Sequence, residues 1–212
     1  MRFRTLAILT AATLAVATPV IAQQDSGVPG AADVSRVTAG NYAADPRHTL
    51  IGWRVDHFGF NDYFGLFGDV SGTLSLDPKN PNASKVEITI PLSKVLTASE
   101  GLTKHLLKPA EAGKPADFFG AAPADARFVS TIVVAKGQTA KITGNLTLNG
   151  VTRPVTLDTR FSGAGANPYS KKETVGFHAT ATIKRSDYNI AFAIPAVSDE
   201  VRLDISVAFE KQ

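Results

Sequence analysis

Four histidines are the first residues that chemistry would call on in this 212-residue chain: His48, His57, His105 and His178. No cysteine accompanies them, so thiolate catalysis, a thiolate metal site and a disulfide framework are all excluded. The four histidines show none of the close spacings that place two ligands on one metal, and no metal is expected. Arg185-Ser186-Asp187-Tyr188 brings a hydroxyl next to a charge pair. The chain has no G-x-S-x-G elbow or comparable nucleophile–base arrangement. Ser186 and Asp187 are therefore read as shaping a turn, with Arg185 pairing a carboxylate or capping carbonyls. Gly163-Ala164-Gly165 lacks the third glycine and following helix of a dinucleotide loop, and reads as a flexible turn. The chain is expected not to be an enzyme, and to need no cofactor.

The aromatic side chains carry more information. From His48 to Leu76 the chain first alternates, with Ile51, Trp53, Val55 and His57 on one face and Leu50, Gly52, Arg54 and Asp56 on the other. That period of two marks a strand with one dry and one wet face. A second alternating run follows, with Val70, Gly72, Leu74 and Leu76 on one face, and Phe58, Phe60, Tyr63, Phe64 and Phe67 crowd the join between the two. This is more aromatic surface than closing a small core requires, and it suggests the lining of an apolar cavity. His57 then serves either as a satisfied core residue or as a polar group facing a bound head group.

Six more alternating runs follow, near residues 84–92, 127–136, 140–148, 153–161, 174–183 and 200–209. Their apolar faces include Phe128, Ile132 and Val134; Ile142, Leu146 and Leu148; Val155, Leu157 and Phe161; and Phe177, Ala179 and Ala181. Lys136-Gly137-Gln138 and Asn149-Gly150 are hairpin turns by composition. Eight long antiparallel strands, each apolar on one face, predict an all-β fold: an eight-stranded, lipocalin-like closed barrel. Such a barrel is either filled by its own side chains or holds one ligand. In the second case the expected lining is Trp53, Val55, His57, Phe60, Phe64, Phe67, Phe118, Phe119, Phe128, Ile132, Leu146, Phe161, Phe177 and Phe192. Gly72, Ser130, Gly144, Ala179 and Ala181 would leave room among them.

One connection is long, residues 93–126. Ser99 as N-cap, a Glu100–Lys104 pair and Pro109 as the stop predict a short helix within it. With Asp117-Phe118-Phe119 it would form a lid over one barrel opening, or a plain cover for that end.

Residues 1–22 have the form of a secretory signal peptide: Arg2 and Arg4, an apolar run from Leu6 to Val16, and small or moderate residues before Gln23. Residues 23–41 show no periodicity and read as a flexible lead-in to a barrel domain over residues 42–212. The formal charge is +3, and removing Arg2 and Arg4 leaves it near zero, so nucleic acid is not an expected partner. No signal for an oligomeric state is present.

Several short motifs recur together in one order. They are Asp45-Pro46-x-His48, Val55-x-His57-x-Gly59-Phe60, Gly65-x-Phe67-Gly68, His105-Leu106, Asp117-Phe118-Phe119, Gly150-Val151-Thr152-x-Pro154-Val155 and Arg185-Ser186-Asp187-Tyr188. In these the chain resembles the YceI-like family of bacterial periplasmic proteins, described as polyisoprenoid-binding. The resemblance runs from about Tyr42 to the C-terminus. It implies an extended lipocalin-like barrel whose tunnel holds a long isoprenoid or other extended amphiphilic chain. The chain departs from the family in the ten residues Leu107–Ala116, where the family runs shorter, and in Gly120, where an acid is usual. Both departures touch the lid.

Together these features predict an exported, periplasmic, non-enzymatic carrier. It would take an isoprenoid, a quinone or a similar lipid as a non-covalent ligand. Loading would call for transient contact with a membrane or a membrane protein. A small outer-membrane barrel has the same alternation turned inside out, but one Trp and four Tyr give little material for two aromatic girdles. An enzyme acting on a cavity-bound lipid would need a nucleophile that the sequence does not offer. The signal peptide makes a direct prediction. Intact-mass measurement of the exported protein should find a chain beginning at Gln23, open or cyclised, and retention of Met1 would refute it.

Overall fold

The eight strand positions are occupied by eleven strand segments, because three strands are broken partway along. The computed structural model describes residues 27–212; the signal peptide over residues 1–22 and the first residues of the lead-in lie outside the described residues. The segments are β1 (Gly40–Ala44), β2 (Leu50–His57), β3 (Asn61–Phe67), β4 (Ser71–Leu76), β5 (Lys85–Ile90), β6 (Val95–Leu96), β7 (Ala126–Lys136), β8 (Thr139–Leu148), β9 (Val151–Ala166), β10 (Glu173–Lys184) and β11 (Glu200–Lys211). All pairings are antiparallel. Around the ring β1 meets β4, then come β5, β7, β8, β9, β10 and β11, and β11 closes back onto β1.

Tyr42 faces Lys211 and Ala44 faces Phe209 across that closure. Further along, β11 leaves β1 and pairs with β2, Ile205 opposite Ile51 and Arg202 opposite Arg54. Thus β1 and β2 are two halves of one strand, β3 and β4 of a second, and β5 and β6 of a third. Each break has a local cause. Asp45 accepts from the Arg47 amide at 2.9 Å and bonds His48 Nδ1 at 2.6 Å, a side-chain turn that interrupts the ladder before Pro46 can. Asp69 adopts φ +53° between β3 and β4. Pro91 has no N–H to donate between β5 and β6, and Leu92–Lys94 there form a 3₁₀ turn.

The alternating faces hold, except at two bulges. In β7, Ser130 pairs with Gly144 and Ile132 with Thr143, leaving Thr131 as an extra residue. A bulge flips every later side chain to the other face. In β9 the register shifts between Phe161 and Gly163. Gly163-Ala164-Gly165 is therefore not the flexible turn expected but the last part of β9. The glycines serve a close approach. A Cβ on Gly165 would collide with the Pro29 carbonyl, and one on Gly163 would meet Ala31 at 3.3 Å.

That approach corrects a second expectation: the lead-in is ordered from Ala31 onward. Ala31 exchanges both backbone hydrogen bonds with Ala164, at 3.1 and 2.9 Å. Gln138 Nε2 donates to the Ala32 carbonyl at 2.9 Å. Val34–Arg36 forms a 3₁₀ turn capped by Asp33, and Val37 is buried with Phe161, Val175 and Phe209. These contacts make a strap across one barrel end.

Glu173 fastens the strap. Its carboxylate accepts from the Thr38 amide at 2.8 Å, the Thr38 hydroxyl at 2.6 Å and the Tyr42 hydroxyl at 2.7 Å. Burial pushes the Glu173 carboxyl up, but these hydrogen bonds and Lys211 more than offset it and hold it below its ordinary value of 4.5. Tyr42 is wholly buried, and burial together with Glu173 pushes its phenol up to about 12. A depressed carboxylate contributes stability that is complete above its unfolded pKa and fades as pH falls through the folded one. The strap should therefore hold at neutral pH and loosen on acidification below 4.5. Hydrogen exchange should show the Thr38 amide losing protection in that range, with Glu173→Ala already unprotected at pH 7.

Candidate ligand-binding tunnel

The inward faces of the strands enclose a cavity of about 660 Å³, inside the ~300–1,000 Å³ typical of small-molecule sites. It runs the length of the barrel. One end is bounded by Phe58, His105, Phe118 and Phe192, the other by Val34, Pro78, Pro81 and Gln138. Ile51, Trp53 and Val55 from β2, Leu146 from β8 and Ile205 from β11 give the wall between them an apolar surface.

Eleven of the fourteen expected lining residues meet at this cavity: Trp53, Val55, His57, Phe67, Phe118, Phe119, Phe128, Leu146, Phe161, Phe177 and Phe192. Three do not. Ile132 is 58% exposed because the β7 bulge turns it and Val134 outward and brings Val133 and Ala135 in. Phe64 faces out opposite Arg54, whose guanidinium lies 5.6 Å from the ring centroid. Phe60 stands in the β2–β3 turn and is 88% exposed.

The small residues also act differently from expectation at two positions. A Cβ on Gly144 would lie 2.5 Å from the Phe128 ring, and one on Gly72 would strike the Glu87 carbonyl. These glycines admit a neighbour and leave no empty space. Gly65 does the same for Trp53, whose ring carbons lie 2.5 Å from a Cβ placed there. Both large rings are thereby laid flat along the wall.

The long connection forms the expected helix, α1 (Glu100–Leu106). The Ser99 hydroxyl accepts from the Leu102 amide at 3.3 Å, and Lys104 pairs with Glu100 at 2.6 Å. Asp117-Phe118-Phe119 folds back onto it. His105 Nε2 bonds Asp117 Oδ2 at 2.8 Å, and the Phe119 amide donates to the Leu106 carbonyl at 3.0 Å. The rings of His105, Phe118 and Phe192 meet edge to face at 5.3–5.6 Å. Leu107 packs against the core, Lys108–Ala116 loops outward, and Lys108 pairs with Glu111 there at 2.7 Å. The longer segment thus leaves the lid intact.

Arg185 is 5% exposed and caps carbonyls, the second of its two expected roles. Its Nε donates to Ser198 O at 2.9 Å, Nη1 to Ile190 O at 3.1 Å and Phe192 O at 2.7 Å, and Nη2 to Val197 O at 2.8 Å. Burial lowers its pKa, and Asp199 partly offsets that. Ser186 donates its amide and hydroxyl to Asp199, at 2.9 and 2.7 Å, so the hydroxyl holds a turn. Among the described residues no three of His, Asp and Glu gather as a metal site. The sequence reading missed the strap residues Val34 and Val37, and Thr159, which shares the inward parity of Val155, Leu157 and Phe161.

With this geometry in view, comparison with known proteins is decisive for the family. A YceI-like domain is matched over residues 42–209. The chain belongs to the YceI-like family. It is 41% identical over 162 residues to Protein YceI of Salmonella arizonae, covering 76% of this chain and 81% of that one. The structure of the Campylobacter jejuni YceI protein superposes with a TM-score of 0.61 at 28% identity, covering 74% and 90%. A polyisoprenoid binding domain from Saccharophagus degradans, implicated in plant cell wall breakdown, shares the fold at a TM-score of 0.52 and 15% identity, covering 81% and 98%.

If the lid of this YceI-like barrel is held by its ring cluster, Phe118→Ala should loosen it and spare the sheet. Edge-to-face pairs contribute roughly 0.5–1.5 kcal/mol each. Exchange of the Phe119 amide should therefore rise about tenfold, while β10 and β11 amides stay unchanged.

Proposed function

We propose that the protein is a non-enzymatic periplasmic carrier that sequesters a long isoprenoid, quinone or similar amphiphilic lipid within the barrel. The observation that carries this reading is the apolar cavity running from the lid to the strap. A core packed for stability alone would fill that space. Each buried methylene contributes about 0.8 kcal/mol, so three or four isoprene units supply a gross ~10 kcal/mol before association costs. Micromolar binding then follows from shape and apolar area. The family and the polyisoprenoid-binding domain that shares its fold support this ligand class. The amino-terminal pattern of residues 1–22 supports export.

The outward faces favour a water-soluble barrel over a membrane one. Arg127–Glu87, Lys141–Asp158 and Arg54–Asp62 pair on them in exposed positions, where a membrane barrel would carry lipid-facing apolar residues. The lipid would be acquired and delivered by transient contact with a membrane or a membrane protein.

The test is native mass spectrometry of the exported protein, paired with thermal melts with and without added polyprenyl lipid. Ala179 lies on the cavity wall and is 5% exposed. Ala179→Phe should abolish the co-purifying lipid mass and the lipid-induced rise in Tm while the unliganded Tm holds. Absence of any bound lipid or melting shift in the wild type, with strong destabilisation by Ala179→Phe, would refute the carrier reading.

A further inference from the structure

The two ends of the tunnel differ in their small and hydroxyl-bearing residues. Under the lid its wall is aromatic and aliphatic: Phe67, Phe119, Phe128 and Leu146. Near the strap the rings of Phe161, Phe177 and Phe209 stand beside the small residues Ala135, Ala140 and Ala179. Ala135 and Ala140 pair across β7 and β8, and Thr159 of β9 pairs with both Ala140 and Ala179. Ser84 enters the same region at the start of β5, where Asn82 ties the preceding turn to the Ala135 amide at 2.9 Å.

Three buried side-chain polar atoms lack a hydrogen-bond partner among the described residues: Trp53 Nε1, Ser84 Oγ and Thr159 Oγ1. All three belong to residues of this one cavity wall. Buried polar atoms are almost always paired, and a partnerless one costs desolvation free energy. Both hydroxyl oxygens now sit within the wall. Neither is held by a bond, so rotation about χ1 toward the cavity would break no hydrogen bond. No uncommitted buried cation lies alongside them. Arg185 is spent on four carbonyls, His105 is bonded to Asp117, and Lys85 reaches the wall from an exposed position.

We infer that the strap end is a head-group subsite in which Ser84 and Thr159 hydrogen-bond a neutral oxygen-bearing head, with the prenyl tail extending toward the lid. Ala135, Ala140 and Ala179 leave room for such a head beside the Phe161, Phe177 and Phe209 rings. A phosphate or diphosphate seated there would be a buried charge with no buried cation to pair it, which is strongly unfavourable. The inference rests on the carrier reading and narrows its ligand to neutral isoprenoids: alcohols, phenols, quinones or amides.

The test uses three C15 probes that differ only in the head: farnesol, the hydrocarbon farnesene and farnesyl diphosphate. Binding is followed by fluorescence of Trp53, the one tryptophan of the chain and a wall residue. Farnesol should bind roughly three- to tenfold more tightly than farnesene, the worth of one or two net hydrogen bonds. Farnesyl diphosphate should bind at least about tenfold more weakly than farnesol. The double variant Ser84→Ala/Thr159→Val should erase the preference for farnesol and leave farnesene affinity unchanged. Thr159→Val alone should raise the unliganded Tm, because it replaces a partnerless hydroxyl by an isosteric methyl, so loss of fold does not confuse the result. A preference that survives the double variant, or diphosphate binding as tight as the alcohol, overturns the subsite. If no probe binds the wild type, the carrier reading falls first and takes the subsite with it.

Discussion

Closure of the sheet depends on β11 serving two partners. Its last residues pair with β1 and its middle with β2, so those two segments must lie end to end along one strand. A continuous strand would extend straight past the barrel wall. The Asp45 side-chain turn breaks it instead, and burial of Tyr42 and Val70 on either side of the joint fixes the bend. Once β1 is set, β4 follows it and the remaining strands complete the ring. Among the described residues that ring has no edge strand, and the two-residue β6, paired with β3 alone, keeps a free edge.

A closed ring of eight strands leaves an interior that side chains can fill. Holding it open takes specific devices. Trp53 lies over Gly65 and Phe128 over Gly144, so two of the largest rings lie along the wall instead of crossing the tunnel. The β7 bulge sends Ile132 and Val134 outward and puts Val133 and Ala135 inside, exchanging bulk for space near the strap. Each device exposes apolar surface or removes a side chain, and so costs stability that a fully packed barrel would keep.

The same devices mark the limits of what sequence periodicity reveals. Alternation identified the eight strand positions and most of the wall because a pleated strand has a period of two wherever its ladder is regular, but the aromatic join expected before Val70 is itself largely strand, Asn61–Phe67. It failed at Ile132 because a bulge adds one residue without changing composition. It failed at Phe60 and Phe64 because a hairpin tip and the outer face carry aromatics as readily as the wall does. The strap was missed for another reason. Residues 31–38 are held by backbone bonds to Ala164, by Gln138 and, at Thr38, by Glu173, partners more than a hundred positions away. The clue lay in β9 itself: Gly163 and Gly165 in a strand signal another backbone passing close by. The lid helix was legible because its cap, its ion pair and its stop are all local.

The two ends of the barrel satisfy their polar groups in opposite ways. At the lid end the β10–β11 connection presents carbonyls that no strand can pair. One buried guanidinium takes four of them, and its planar fork supplies the donors from a single side chain. This arrangement fixes Phe192 beside Phe118 and His105, so the positive charge positions the lid. It also withdraws that charge from any ligand, since a guanidinium surrounded by carbonyls has little left to offer a phosphate. At the strap end Glu173 and Lys211 pair outside the tunnel, while the wall carries the Ser84 and Thr159 hydroxyls, with Gln138 and the exposed Lys85 beside them. The buried guanidinium is thus committed to holding the structure together, and Lys85, the cation that reaches the strap end of the wall, does so from an exposed position.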